Sequence, residues 1–332
     1  MDQTVTPAGV RCSASTAYLQ PAMARPNLTV TTGCLVTRVL AADSGGGLRA
    51  AGVEYQLPSG GPVLTALAER ETILSLGAVG SPQVLLLSGI GPAEHLRSVG
   101  VPVLLDLPAV GGNLQDHLEF YVQYLCTRPV TLAPVGNWFP YPHRRIMVGA
   151  EWFLRGRGLA ASNQFETGGF VRSRAGVPHP DVQLHFVPGA VEGQLSVLRK
   201  HAYQAHCGTL RPTSRGTIRL QSADPHVGPL IDPAYLATER DRIDLRNAFR
   251  LTEEIMAQPA FDDYRGQALH KDLVDPECDA SVDTFIRTHA QSAYHPSCTC
   301  AMGQVVDEEG RVCVMRRTTP PMQRPPTAAP RP

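Results

Sequence analysis

The chain has 332 residues, 43% hydrophobic and 18% charged, enough to build about two domains around ordinary cores. Its 30 Lys+Arg balance 30 Asp+Glu, so no basic field supports a nucleic-acid partner. Eight scattered cysteines without a CxxC pair argue against a disulfide-stapled scaffold, and no apolar run reaches the ~18 residues of a membrane span.

The opening MDQTVTPAGVRCSAS has no basic stretch leading into an apolar one, and is expected not to be a signal peptide. Residues 27–42 (NLTVTTGCLVTRVLAA) are rich in β-branched side chains and predict a strand broken at Gly33; residues 51–57 predict a second, joined by the DSGGG turn. Residues 72–76 (TILSL) predict a short buried strand. GAVG then turns, with Ser81 as helix N-cap and Pro82 in the first turn of a short helix that Gly89 stops. A second Pro-to-Gly helix covers residues 92–100, and residues 101–108 return as strand. In the second half, residues 143–158 predict a helix, and residues 181–189, 201–210 and 216–222 predict strands of a larger sheet. Residues 238–258 predict the longest helix, with Ile243, Leu245, Phe249, Leu251 and Ile255 apolar; residues 280–290 predict another. From Thr318 the text TTPPMQRPPTAAPRP is low in complexity and expected to be disordered.

Four stretches in order carry a resemblance: GAVGSPQVLLLSGIG (residues 77–91), VGGNLQDH (110–117), SRGTIRLQS (214–222) and YHPSCTCAMG (294–303). Together they resemble the glucose–methanol–choline (GMC) oxidoreductases over residues 11–312. The last stretch is similar to the segment of that family that carries the catalytic histidine, with His295, Pro296, Thr299, Met302 and Gly303 in the matching positions. RCSASTAYLQPAMARPNLTV, NQFETGGFVRS and SAYHPSCTCAMG are similar to its choline-oxidising members.

The resemblance implies an α/β (mixed α+β) fold, an incomplete form of a two-domain flavoprotein. Residues 1–125 would supply part of an FAD-binding domain, and 126–290 a substrate domain with a large antiparallel sheet. Residues 291–312 would return to the FAD domain with the histidine, and 313–332 would be a Pro-rich tail. The implied activity is FAD-dependent oxidation of choline to betaine aldehyde, with electrons passed to a quinone-type membrane acceptor at the mitochondrial inner membrane. The pyrophosphate-cradling GxGxxG of the family is not in this sequence, so the chain reads as the middle of such an enzyme.

Under the resemblance, His295 is the base that takes the hydroxyl proton as hydride moves to the flavin N5, a task suited to neutral imidazole. Cys298 and Cys300 lack the second pair that structural zinc requires, and read as small buried packing residues. Glu166 is the candidate carboxylate for a trimethylammonium head, with Phe165, Phe170 or Trp138 as ring faces. Val36, Gly77, Ala78, Ser81 and Asn113 are the implied cofactor contacts; His117, His185 and His206 read as structural histidines. Two rivals stay open: a non-catalytic portion without flavin, and an FAD alcohol dehydrogenase for aliphatic alcohols, which would leave Glu166 without a cation to meet.

Overall fold

A computed structural model describes residues 6, 10–43, 48–57, 60–133, 142–192, 196–270 and 273–313. Residues 44–47 of the expected turn at 43–47, Trp138, and residues 314–332 of the expected tail at 313–332 lie outside the described residues. After a helical turn at Ser15–Leu19, the strands and longer helices follow as β1 (Leu35–Asp43), β2 (Leu48–Gln56), β3 (Leu64–Leu67), α1 (Gly77–Leu87), β4 (Ile90–Gly91), α2 (Ala93–Ser98), β5 (Leu105–Asp106) and β6 (Leu118–Cys126). Then come α3 (Pro142–Arg155), β7 (Thr167–Val171), β8 (Val182–Val187), β9 (Val191–Glu192), β10 (Ser196–Val197), β11 (Ala202–Thr209), β12 (Thr217–Arg219) and β13 (Leu230–Asp232). The last are α4 (Glu239–Met256), β14 (Arg265–Ala268), α5 (Asp279–His289) and β15 (Gln291–Ser292).

Contacts divide the chain into two units. One holds Met1–Thr32, Gln115–Gly216 and Pro233–Ser297; the other holds Gly33–Leu114, Thr217–Asp232 and Cys298–Pro332. These cuts differ from the expected boundaries at 125/126 and 290/291. β6 hydrogen-bonds along its length to β11, so backbone pairing draws residues 118–125 into the sheet unit.

The sheet unit is a six-stranded antiparallel sheet in the order β14-β6-β11-β8-β7, with β15 also paired to β6. Strand alternation gives it two unlike faces. Phe120, Val122 and Tyr124 of β6 join Cys207, Ala205 and Tyr203 of β11 in a core completed by Leu245, Ala248 and Phe249 of α4 and Val282, Phe285 and Ile286 of α5. The helical period of α4 matches this use, while its Ile243 stays 39% exposed, off the buried stripe. Thr238 caps α4, its side chain accepting from the Asp241 N–H. The opposite face carries Glu119, Tyr121 and Gln123 of β6, registered against Gly208, His206 and Gln204 of β11; His185 of β8 lies opposite His206.

In the second unit, β1, β2 and β3 form an antiparallel meander, and β4 pairs with β5 in parallel. Its core is Leu85, Leu86, Leu96, Val101, Leu107, Val110, Leu220 and Val305. Five expectations fail in this unit. The strand expected over residues 101–108 shrinks to Leu105–Asp106, and the one expected over 216–222 shrinks to Thr217–Arg219, which pairs with β13 and not with the larger sheet. The strand read over residues 27–42 begins only at Leu35, where pairing with β2 begins. The buried strand expected at residues 72–76 has no strand partner among the described residues, and Ile73 is 77% exposed. Ser81 is not an N-cap: α1 starts four residues earlier, at Gly77, and the Ser81 hydroxyl accepts from the Leu76 N–H at 3.2 Å.

Pro82 therefore sits inside α1. Having no N–H, it cannot bond the carbonyl four residues back, which is that of Ala78. The Thr299 hydroxyl donates to that carbonyl at 2.6 Å instead. Among the described residues no helix is long and apolar enough to cross a membrane.

Candidate active site

In the sheet unit, the segment after β15 is bent sharply around His295. Tyr294 (φ 60°) adopts the left-handed conformation that non-glycine residues avoid, a strain that tends to collect at functional sites; so does Cys298 (φ 72°), the first residue of the chain's return to the second unit. The segment is held in place by a pair of backbone bonds between Gln115 and Ser297, at 3.1 and 2.8 Å.

Asp116 lies beneath this bend, 8% exposed. Its Oδ1 accepts from the backbone N–H of His117 (2.8 Å) and of His295 (2.9 Å). Its Oδ2 accepts from the Ser292 hydroxyl at 2.5 Å and from the Tyr235 phenol. Burial, followed by the bond to Asp116, pushes the Tyr235 phenol up to about 12, so it remains a donor. The His117 and His295 rings meet edge-on, their Nδ1 atoms 3.0 Å apart, and His117 Nε2 is 3.1 Å from the Leu210 carbonyl. His117, expected to be a core or capping histidine, is thus the direct neighbour of His295.

His295 opens onto a pocket lined by His117, Glu119, Gln183, His185, Gly208, Thr209 and Ala293. Gly208 is useful here: a Cβ would come within 3.0 Å of the Leu118 carbonyl and 3.4 Å of the Glu119 Cβ. Glu119 ends a polar chain across the sheet. Gln123 donates to Gln204 Oε1 at 2.7 Å, Gln204 Nε2 lies 2.6 Å from His206 Nε2, and His206 Nδ1 lies 3.2 Å from Glu119 Oε1. The Tyr121 hydroxyl also donates to Glu119 Oε1, at 3.2 Å. Burial, then the charge of Glu119, raises the Tyr121 phenol far above its ordinary value. His185 is lowered, first by burial and then by His206, with Glu119 acting the other way, which favours neutral imidazole. His185 was read as structural; it is a wall of the pocket.

Glu166 is not among the residues that line this pocket. It precedes β7, its N–H donates to the Phe186 carbonyl at 3.2 Å, and its Oε1 accepts from Ser162 at 2.5 Å. Its neighbour Phe165 does pack edge-on against His185 and His206, with centroids 5.3 and 5.7 Å away. The carboxylate beside His295 is Glu119, which the sequence reading missed because β6 was not recognised. LEFYVQYLC alternates, and that alternation would have put Glu119, Tyr121 and Gln123 on one face.

The other candidates lie in the second unit. Gly77 opens α1 with φ 75° and nothing within 4 Å of where a Cβ would stand, leaving the helix N-terminus open beside exposed Leu76. Val36 is half-buried in β1 beside an irregularity in its pairing, and Asn113 has φ 56°. Thr299 ties this unit together: its hydroxyl reaches Ala78, and its carbonyl accepts from Gly111 N–H at 2.9 Å. Thr299→Val, at a site only 2% exposed, leaves the Ala78 carbonyl without its donor. The expected cost is about 1–3 kcal/mol, read as a lower denaturant midpoint, whereas Thr299→Ser stays near the parent. Cys298, expected to be a buried packing residue, is exposed; Cys300 is half-buried, and burial pushes its thiol up to about 11. Among the described residues no three metal-ligating side chains cluster.

A dinucleotide cofactor needs donors for its phosphates and an apolar bed for its rings. The open helix N-terminus at Gly77–Ala78 and exposed Ile73 and Leu76 fit part of that need.

GMC oxidoreductase profiles match residues 1–119 and 212–317. The chain is 47% identical over 317 residues to the "Oxygen-dependent choline dehydrogenase" of Pseudomonas aeruginosa (strain LESB58), covering 94% of this chain and 55% of the relative. It is 45% identical to the protein of that name in Serratia proteamaculans, covering 94% and 56%. The chain spans about half the length of the curated relatives it matches. Among solved structures, pyridoxine 4-oxidase from Mesorbium loti superposes with TM-score 0.75 at 28% identity, covering 92% of this chain and 55% of that one. A formate oxidase of Aspergillus oryzae reaches TM-score 0.80 at 22% identity, covering 93% and 57%, a likeness of fold.

Proposed function

This chain belongs to the GMC oxidoreductase family, and from that premise we propose that it serves FAD-dependent oxidation of choline to betaine aldehyde. The observation that carries the reading is the pairing of a histidine, His295, with a carboxylate, Glu119, in one pocket. Choline presents a hydroxyl to deprotonate and a permanent cation to hold, and these two groups answer those two needs. His295 takes the hydroxyl proton. Glu119 faces the trimethylammonium head, with the Phe165 ring against His185 and His206 adding an aromatic surface.

Gly77, Ala78, Ser81, Val36 and Asn113 would hold parts of FAD, with the α1 N-terminus toward a phosphate. The flavin, when bound, supplies the hydride acceptor. A quinone-type membrane acceptor remains part of the proposal. Its mitochondrial version rests on the resemblance alone; the two choline dehydrogenases named above are bacterial.

Choline titrated into the chain should move the imidazole signals of His295 and His185 saturably in NMR spectra. The neutral isostere 3,3-dimethylbutanol should move them far less. Equal responses to both would favour an aliphatic-alcohol enzyme. Without a GxGxxG turn, the 332-residue chain alone is expected to bind FAD weakly or not at all. A stoichiometric flavin spectrum from the purified chain would show that its own residues suffice.

A further inference from the structure

We propose that His117 sets the tautomer of His295 and that Asp116 fixes the position of both, so that His295 presents an unprotonated Nε2 to the substrate. The inference deepens the reading of His295 as base, and rests on it only for its catalytic meaning.

The Leu210 carbonyl can only accept, so at 3.1 Å the His117 Nε2 must carry a proton. In neutral His117 the other nitrogen, Nδ1, is then a bare acceptor. It lies 3.0 Å from His295 Nδ1, a hydrogen bond that exists only if that atom carries the proton. The remaining nitrogen of neutral His295 is Nε2, which keeps its lone pair. The chain of donors is therefore one-directional: His295 Nδ1–H to His117 Nδ1, and His117 Nε2–H to Leu210 O.

After Nε2 takes a proton, the same contact becomes a charge-assisted bond from imidazolium to neutral imidazole, which stabilises the product of the transfer. His117 therefore does for His295 what an orienting partner does for a catalytic base elsewhere: it sets the tautomer without taking the proton.

Geometry at this precision needs the two backbones fixed. Asp116 does this through one oxygen, Oδ1, which receives the N–H of both histidines. Its Oδ2 is occupied by Ser292 and Tyr235, so the carboxylate cannot swing. Four donors compensate its burial. Sequence neighbours Asp116 and His117 thus work at opposite ends of one device: the first holds the main chain and the second the ring. Both are positioning residues: His117 lines the pocket with its two ring nitrogens engaged by His295 and the Leu210 carbonyl, and Asp116 is not among the pocket's lining residues.

The test uses the full 332-residue chain with ¹⁵N-labelled histidine, and needs neither flavin nor choline. A failed choline assignment would therefore leave its outcome standing. The His295 signals are identified by their loss in His295→Gln. Long-range ¹H–¹⁵N spectra at neutral pH should show His295 protonated at Nδ1 and bare at Nε2. A nitrogen–nitrogen coupling across the hydrogen bond should join His295 to His117. His117→Asn, whose Oδ1 can stand near the lost Nδ1, should keep the tautomer. His117→Leu should let His295 revert toward the Nε2–H form that free imidazole favours. Nε2–H in the parent chain, or a resolved Nδ1 proton without coupling to His117, overturns the proposal. So does an unchanged tautomer in His117→Leu. If His117→Leu does not fold, the parent tautomer and the coupling decide by themselves.

Discussion

Replacing the counterpart of His295 by Ala in a full-length, flavin-loaded relative should lower kcat for choline by about 10²–10⁴, the range for loss of a general base. That corresponds to about 2.7–5.5 kcal/mol of transition-state stabilisation at 1.36 kcal/mol per factor of ten. The loss should fall on kcat rather than KM if, as proposed, His295 meets the reacting hydroxyl while another group holds the cation. The fold should survive, since the His295 ring is exposed and it is its backbone N–H that Asp116 holds. Steady-state kinetics with choline, beside a thermal melt, checks both halves. Turnover within a few-fold of the parent would move the base elsewhere. The neighbouring cysteines give the control. Cys298→Ser with Cys300→Ser should leave turnover within a few-fold, because burial keeps the Cys300 thiol protonated and the exposed Cys298 is not part of the pocket.

The second large effect is expected at Glu119. Glu119→Gln keeps the acceptor for His206 and Tyr121 while removing the charge. An attraction of ~1–3 kcal/mol between a carboxylate and a quaternary ammonium, between screened and partly buried limits, amounts to about 5–150-fold. The head group does not react, so the loss is uniform and appears as a higher KM for choline with a smaller change in kcat. 3,3-Dimethylbutanol should be nearly indifferent to the substitution. Glu166→Gln should change KM for choline only a few-fold, since Glu166 is bonded to Ser162 and is not a wall of the pocket. A large, choline-selective rise at Glu166 and none at Glu119 would return the cation-binding role to the residue that the sequence suggested. Equal losses for both alcohols at Glu119 would mean it acts by holding His206 and Tyr121 in place.

Much of the local structure was legible because its signals are local. The α4 stripe of Leu245, Phe249 and Met256 follows the helical period, and Gly89 and Gly100 end their helices with φ 80° and 77°. The family was legible for a similar reason, since short motifs such as HPSCT are read without knowing what they touch.

Other features depended on partners far away in the chain. β1 was over-extended because β-branched residues at 28–32 look like strand, yet strand requires a paired neighbour, and pairing starts at Leu35. Ser81-Pro82 has the chemistry of a helix start, but the helix began at Gly77, since the Thr299 hydroxyl supplies the donor that Pro82 lacks.

The sequence alone determined the family, the helical periods and the identity of His295 as the residue to watch, because each is written in adjacent residues or in fixed spacings. Tertiary structure alone decided that Glu119 rather than Glu166 shares the pocket of His295, and that His117 is its ring partner. The reason is geometric. β6 must pair with β11 and β15 before Glu119 and His295 come together, and Asp116 must accept two N–H groups 178 residues apart before the histidines meet.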